Sequence, residues 1–366
     1  MGQPMRRDWR VDTLRGWFLV CMTLAHLPPH PLQPWVGYMF GFASAPDGFV
    51  FLSGLVAAWV YLRVRARKGQ KGLEGKALHR FRDIYLTHVS ILFMTIVGSV
   101  LFVGSSFRGS HPIQALFAGC LLVYQPHTCD ILPMYCIFLL SMPLILEEFM
   151  NGHARHIGMI SFLLWLISLR GIGDASYVLP YIDLGAFNLF TWQAYFVAGM
   201  YFGYRGLYSQ KPVVPRSRAL LAACIIVSLV LLVQRHFEIV AAIELIKFHL
   251  SPDHNPLRFL NAASLGYIVW MVPRTLDLKL MRVRICQFLN YLGKHSLQVF
   301  AWSLPVTDAL SVFHFRVWDK LSPVTQTLAA LLTVATLAIP ALLHDQYRQR
   351  RAKPARMLQY VSSTVF

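Results

Sequence analysis

Residues 12–26, DTLRGWFLVCMTLAH, open like a membrane span yet carry an acid, an arginine and a histidine. On a helix turning about 100° per residue, Asp12, Arg15 and His26 lie within about 60° of one another and share a face. At roughly 1.5 Å of rise per residue, His26 is expected about 16 Å beyond Arg15, near the middle of a ~30 Å hydrocarbon core. Ionisable groups at that depth cost free energy and mark substrate paths or reaction centres.

Working outward, the apolar signal repeats along almost the whole chain. The 366 residues are 56% hydrophobic and only 14% charged, which excludes a soluble enzyme with one anchor. The runs do not alternate as barrel strands do. Apolar segments fall at 14–33, 47–62, 84–107, 112–124, 131–149, 156–169, 187–204, 218–233, 259–273, 286–305 and 324–343. Most of the 34 lysines and arginines collect in five clusters, Arg6–Arg15, Arg63–Arg82, Arg205–Arg218, Arg274–Arg284 and Arg348–Arg356. Cytoplasmic loops carry such an excess, so the clusters belong on one side. An even number of crossings must then separate neighbouring clusters, and only the second and third violate this. Segment 112–124, too short to span, is therefore re-entrant or fused to its neighbour. The expectation is an all-α polytopic membrane protein of about ten spans with both termini cytoplasmic. Residues 1–343 form one transmembrane domain and 344–366 a basic tail. The basic clusters are scattered between spans, which argues for topology and against nucleic-acid binding.

The six cysteines contain no CxxC pair and mostly sit in apolar runs, as small core hydrophobes do. His127 and Cys129 make too thin a ligand set for a metal site, so none is expected. In FGFASAPDGFVFLSG, residues 40–54, Asp47 suits a helix N-terminus, and Asp47 with Ser53 and Gly54 would carry a small polar line facing the first span, with Gly54 letting the backbones pack closely. The basic loop 63–88 satisfies topology and attracts anionic lipid. Its Arg80 and Arg82 would also grip a polyphosphate at the cytoplasmic mouth, with His88 lining the passage beyond. Asp130, before Pro133, is placed as an N-cap and, with Gln125, His127 and Tyr135, as half of a polar pocket. Lys294 and His295 stand at a span entrance, where a histidine bonded to a backbone carbonyl is the ordinary reading. Two outward loops, 170–186 with Asp174 and Asp183, and 234–258 with His236, Glu244 and His249, are long enough to form a rim; the second also fits an amphipathic surface helix.

Assembled in order, these segments resemble the OpgC-type acyltransferases, succinyltransferases of osmoregulated periplasmic glucans within the acyltransferase-3 superfamily. Arg15 and His26 match the superfamily's R-x(10)-H arrangement. SAPDGFVFLSG is similar to the OpgC-type SPxEGFVFLSG stretch, with Asp47 in place of glutamate. QPHTCDILPMY (125–135), GAFNLFTWQAYFVAGM (185–200) and LGKHSLQVFAWSLP (292–305) continue the sequence of motifs. The last departs from the superfamily's GxxSYxxYLxHxP by carrying Leu297 for tyrosine and Ser303 for histidine. The resemblance covers about residues 6–305. It implies an inner-membrane O-acyltransferase with His26 catalytic and Arg15 supporting it.

That resemblance gives the opening stripe a use. Acyl-CoA is made in the cytoplasm while the decorated glycans lie outside, so a basic mouth, a passage and a mid-membrane base are required. No permanently bound cofactor is expected; acyl-CoA is the donor, a glycan the acceptor and lipid the surroundings. His26 would deprotonate the sugar hydroxyl or carry the acyl group itself, with Asp12, Asp47 or Asp130 orienting the imidazole. The rival reading is a transporter or flippase, with buried charges along its substrate path.

Overall fold

The computed structural model describes residues 8–101, 112–125, 129–170, 187–208, 214–237, 255–273, 276, 279–314 and 317–350. Among the described residues there are helices and no strands. The helices are α1 (Trp9–His26), α2 (Ala45–Leu101), α3 (Pro112–Cys120), α4 (Ile131–Met150), α5 (Ala154–Ser168), α6 (Leu189–Tyr208), α7 (Arg218–Phe237), α8 (Pro256–Met271), α9 (Arg284–Lys294), α10 (Ser296–His314) and α11, which starts at Pro323 and runs on to Arg350. Among the described residues, four helices are long and apolar enough to cross a membrane: α2 over Ala45–Gly98, α4, α7 and α11. The chain is a helical membrane protein. Most of the 170–186 and 234–258 rim, with Asp174, Asp183, Glu244 and His249, lies outside the described residues, as do His127 and residues 351–366.

Three departures from the sequence expectation have physical causes. The basic stretch 63–83 is helix rather than loop. Its Arg, Ala, Lys, Gln, Leu and Glu are strong helix formers, and α2 continues through it for 57 residues. A straight helix of that length would reach about 85 Å, far more than a ~30 Å core. Gly69, at φ 67°, breaks the run into two arms. Next, α1 does not reach residue 33 but ends at His26. Pro28 and Pro29 cannot continue its hydrogen-bond ladder. Finally, the apolar segment 286–305 is two helices, α9 and α10, divided at His295.

Segment 112–124 yields only the nine-residue α3, followed by turns and the start of α4. Tyr85 Oη donates to the Cys120 carbonyl at 2.9 Å, and a His88 ring nitrogen lies 3.2 Å from the Gly119 carbonyl. The last two carbonyls of α3, which have no partner within the helix, are thus satisfied by side chains of the second arm of α2.

Packing is closest where glycines face backbone. A Cβ on Gly54 of α2 would collide with the Phe196 carbonyl of α6, and one on Gly199 with the Phe51 carbonyl of α2. Gly16 of α1 and Gly293 of α9 are paired in the same manner, against Leu289 and Asp12. Without a hydrophobic drive between helices in lipid, such approach supplies the dispersion contact that holds them. Gly199→Val should therefore destabilise the protein by more than the ~1–3 kcal/mol typical of overpacking, because the obstacle is backbone and cannot rotate away. Size-exclusion profiles and thermal midpoints in detergent would show it. Gly206→Ala, where no atom lies within 4 Å, is the matched control and should change neither.

Candidate functional site

The first arm of α2, α4, α6 and α10 enclose a cavity of about 390 Å³ that Arg15 of α1 enters. Its mouth is polar, formed by exposed Lys76 and His79 and half-buried Arg80 and Asp83 on the second arm of α2. Its depth holds Arg15, Ser53, Tyr135 and Ser296 between apolar walls that include Phe49, Val60, Ile131 and Phe196. Arg15 donates from Nη2 to Ser296 Oγ at 2.7 Å, and its guanidinium lies 5.5 Å from the Phe49 ring centroid. That hydrogen bond joins α1 to the first turn of α10, directly beyond the helix break. Ser53 Oγ donates to the Phe49 carbonyl at 2.8 Å while facing the cavity. The arrangement suits a long ligand with an anionic head at the mouth and a slender, weakly polar arm within.

The structure divides the residues expected to act together. Arg15, Ser53 and Arg80 share the cavity. Arg82 does not line it; its side chain is 62% exposed, with Nη2 3.2 Å from His79 Nδ1 and 3.9 Å from Asp83. The cause is helical geometry, since residues two apart are turned by about 200°. His88 is fully buried at the α3 contact and lies outside the cavity lining. Asp12 is buried in the first turn of α1, where Gly293 of α9 packs on its backbone. Asp130 is buried at the N-cap position of α4, although its side chain makes no capping hydrogen bond. His26 is the last residue of α1 and is exposed, in contrast to buried Leu24 and Leu27 on either side. It stands outside the cavity lining, about 16 Å along the helix from Arg15.

Asp47 belongs to a different constellation. Both its oxygens lie 3.0 Å from Arg258 Nε of α8. Arg258 Nη2 donates to Ser44 Oγ at 2.6 Å, and the guanidinium sits 4.9 Å from the Trp192 ring centroid. The Ser44 backbone N–H donates to Asp47 Oδ2 at 2.7 Å, one half of a capping box at the start of α2. One turn along α8, Asn261 Oδ1 accepts from the Phe42 and Ala43 N–H groups at 2.8 and 2.9 Å. Residues 42–47 are thereby fastened to α8 through Asn261 at one end and Arg258 at the other. Sequence reading missed Arg258 and Asn261. The only signal was polar residues in the first turns of an otherwise apolar segment, which membrane-interface placement also explains.

His295 was expected to bond a backbone carbonyl. It meets side chains of α11: its Nδ1 is 2.9 Å from His344 Nδ1, and its Nε2 is 3.3 Å from Asp345. Among the described residues no group of three or more His, Cys, Asp or Glu is placed to hold a metal ion.

A family model described as "OpgC protein" matches residues 7–349. No curated protein and no solved structure matches the chain.

Proposed function

The chain belongs to the OpgC family, whose members are in general terms glucan-modifying acyltransferases, and from that premise we propose that it carries an acyl group, succinyl or acetyl, from cytoplasmic acyl-CoA to hydroxyls of a periplasmic glucan or surface polysaccharide. The observation that carries this reading is the 390 Å³ cavity with Lys76 and Arg80 at its mouth and Arg15 in its depth. The cations receive the phosphates, the apolar walls receive the pantetheine arm, and Arg15, held by Ser296, polarises or orients the thioester end. His26 acts beyond it, as general base toward the sugar hydroxyl or as transient acyl carrier. The thioester must therefore travel past Arg15 toward the far end of α1.

In the same reading the chain crosses the inner membrane ten times with both termini cytoplasmic. The crossings are α1, the two arms of α2, α3 with α4 as a single interrupted crossing, α5, α6, α7, α8, α9 with α10, and α11. This count leaves an even number of crossings between every neighbouring pair of basic clusters.

The test is a comparison of Arg80→Gln with Arg82→Gln, each assayed with acyl-CoA and with acyl-pantetheine lacking the nucleotide. A charge-assisted phosphate contact contributes about 1.5–3 kcal/mol, so Arg80→Gln should raise the acyl-CoA KM roughly ten- to a hundredfold. Its kcat should move far less, because the contact is equal in ground and transition states. Arg82→Gln, pointing away, should leave both constants near wild type. Equal losses on the two donors would remove the phosphate role from Arg80.

The break at His295 and the short α3 are features a transporter would share. Hydrolysis of acyl-CoA by the purified protein without any acceptor separates the two readings, since a transporter has no means to cleave the thioester.

A further inference from the structure

Most of the large apolar residues of α11 face outward: Leu328, Leu331, Leu332, Ile339, Leu342 and Leu343 are all exposed. Toward its C-terminal end Leu337 and Ala341, one turn apart, are completely buried. One turn further along that face come His344 and Asp345, whose side chains meet His295. Higher up, the Trp302 indole N–H of α10 donates to Thr336 Oγ1 of α11 at 3.3 Å. From that contact to the pairing of His295 with His344 is seven residues back along the chain and eight forward along α11, so α10 and α11 run antiparallel. Polar side chains join them at both points. Ionisable groups on so apolar a helix cost free energy, and the contact they make needs a use.

His295 is where helical geometry lapses. Its φ of −112° and ψ of 32° end α9, and Ser296 begins α10. A continuous hydrogen-bond ladder therefore does not fix how the two helices are set against each other, and the side chains at the break must do so. His295 is buried, with Nδ1 2.9 Å from His344 Nδ1 and Nε2 3.3 Å from Asp345 Oδ1. Two imidazole nitrogens bond only when one carries the proton and the other accepts it. A neutral His295 with its proton on Nε2 donates to Asp345 and accepts at Nδ1 from His344, so a single tautomer satisfies both contacts. The Tyr291 ring of α9, with its centroid 5.1 Å away, backs the imidazole. The next residue, Ser296, is buried too and receives Arg15 Nη2 at 2.7 Å.

We propose that His344 and Asp345 are positioning residues: by clamping His295 they fix the helix break, and through Ser296 they hold Arg15 at the depth of the cavity. Every link from α11 to Arg15 is a hydrogen bond, an ion pair or a covalent bond, although α11 itself supplies no residue to the cavity lining. The phosphates of the donor are received at the mouth by Lys76 and Arg80, so loosening the clamp disturbs the thioester end and leaves the anchored end in place. The effect on catalysis rests on the acyl-transfer reading; the coupling between α11 and Arg15 does not.

The experiment is a double-mutant cycle on the full chain in lipid nanodiscs, crossing His344→Ala with Ser296→Ala and reading both kinetics and the thermal midpoint. His344→Ala should lower kcat roughly ten- to a hundredfold, as a misplacement of about 1 Å does. The acyl-CoA KM should stay within about twofold of wild type, because donor binding is untouched. In the Ser296→Ala background, where Arg15 has already lost its hold, the same change should lower kcat no further. His344→Asn, whose side-chain amide takes the place of Nδ1, should restore most of the rate. Wild-type kcat in His344→Ala, or a loss of the same size with and without Ser296, overturns the clamp. So does a midpoint that falls equally in both backgrounds with no rescue of rate by His344→Asn, the pattern of a merely structural histidine. Coupling of the two positions in the midpoint of a protein that transfers no acyl group overturns the acyl-transfer reading and leaves the clamp standing.

Discussion

His26→Ala should lower acyl transfer by about 10²–10⁴-fold if the imidazole is a general base, and remove it entirely if the imidazole carries the acyl group. The protein should still insert and purify, because the side chain is exposed at the end of α1 and Leu24 and Leu27 supply the burial there. Turnover measured with saturating acyl-CoA and glucan separates loss of chemistry from loss of binding. Wild-type KM for the donor with vanishing kcat is the expected pattern. Near-normal kcat would remove His26 from the mechanism, and the exposed end of α1 would then need another role.

The second large effect lies in stability. Asp47 and Arg258 are 1% and 4% exposed at the side chain, and they are bonded to each other across 211 residues of sequence. Replacing one partner leaves the other buried and uncompensated, which typically costs about 3–5 kcal/mol. Arg258→Met and Asp47→Asn should each lower the thermal midpoint of the purified protein sharply. Asp47→Asn should suffer less than Asp47→Ala, because an amide still accepts from the Ser44 N–H and from the guanidinium. The double variant Asp47→Leu/Arg258→Met should recover much of the loss, since it buries no orphaned charge. Additive losses in the double variant would show that the pair acts through packing on Trp192 rather than through charge.

How much of this was legible in the sequence depended on whether the deciding interaction was local. Helical periodicity is local, so the all-α membrane architecture and the shortness of 112–124 are read directly, and Gly54 marks a close helix contact, although its partner is α6 and not the first span. The proline pair after His26 is an equally local signal, and it ends α1 short of residue 33. Arg80 and Arg82 differ by that same periodicity: two residues apart on a helix, they are turned by about 200°, and only Arg80 lines the cavity. The stretch 63–83 interrupts two apolar runs and so reads as a loop by hydropathy, although its residues favour helix; hydropathy reports burial, not backbone conformation.

The site itself was legible only by halves. Arg15 and Ser53 announced themselves as polar groups in apolar helices, but their neighbour Ser296 is 281 residues from Arg15 and ordinary in its own segment. Arg258, bonded to Asp47, could be chosen only by knowing that α8 packs beside the start of α2. Periodicity supplies the face of each helix and never the partner that meets it.

The claim at the centre is that one chain takes its acyl group on one side of the bilayer and delivers it on the other. It is tested most directly in proteoliposomes of uniform orientation, with labelled acyl-CoA confined to the side of Arg80 and glucan confined to the side of His26. Labelled glucan should accumulate across the sealed bilayer with wild-type protein and should be absent with His26→Ala. Label reaching glucan only when donor and glucan share a compartment would contradict the account.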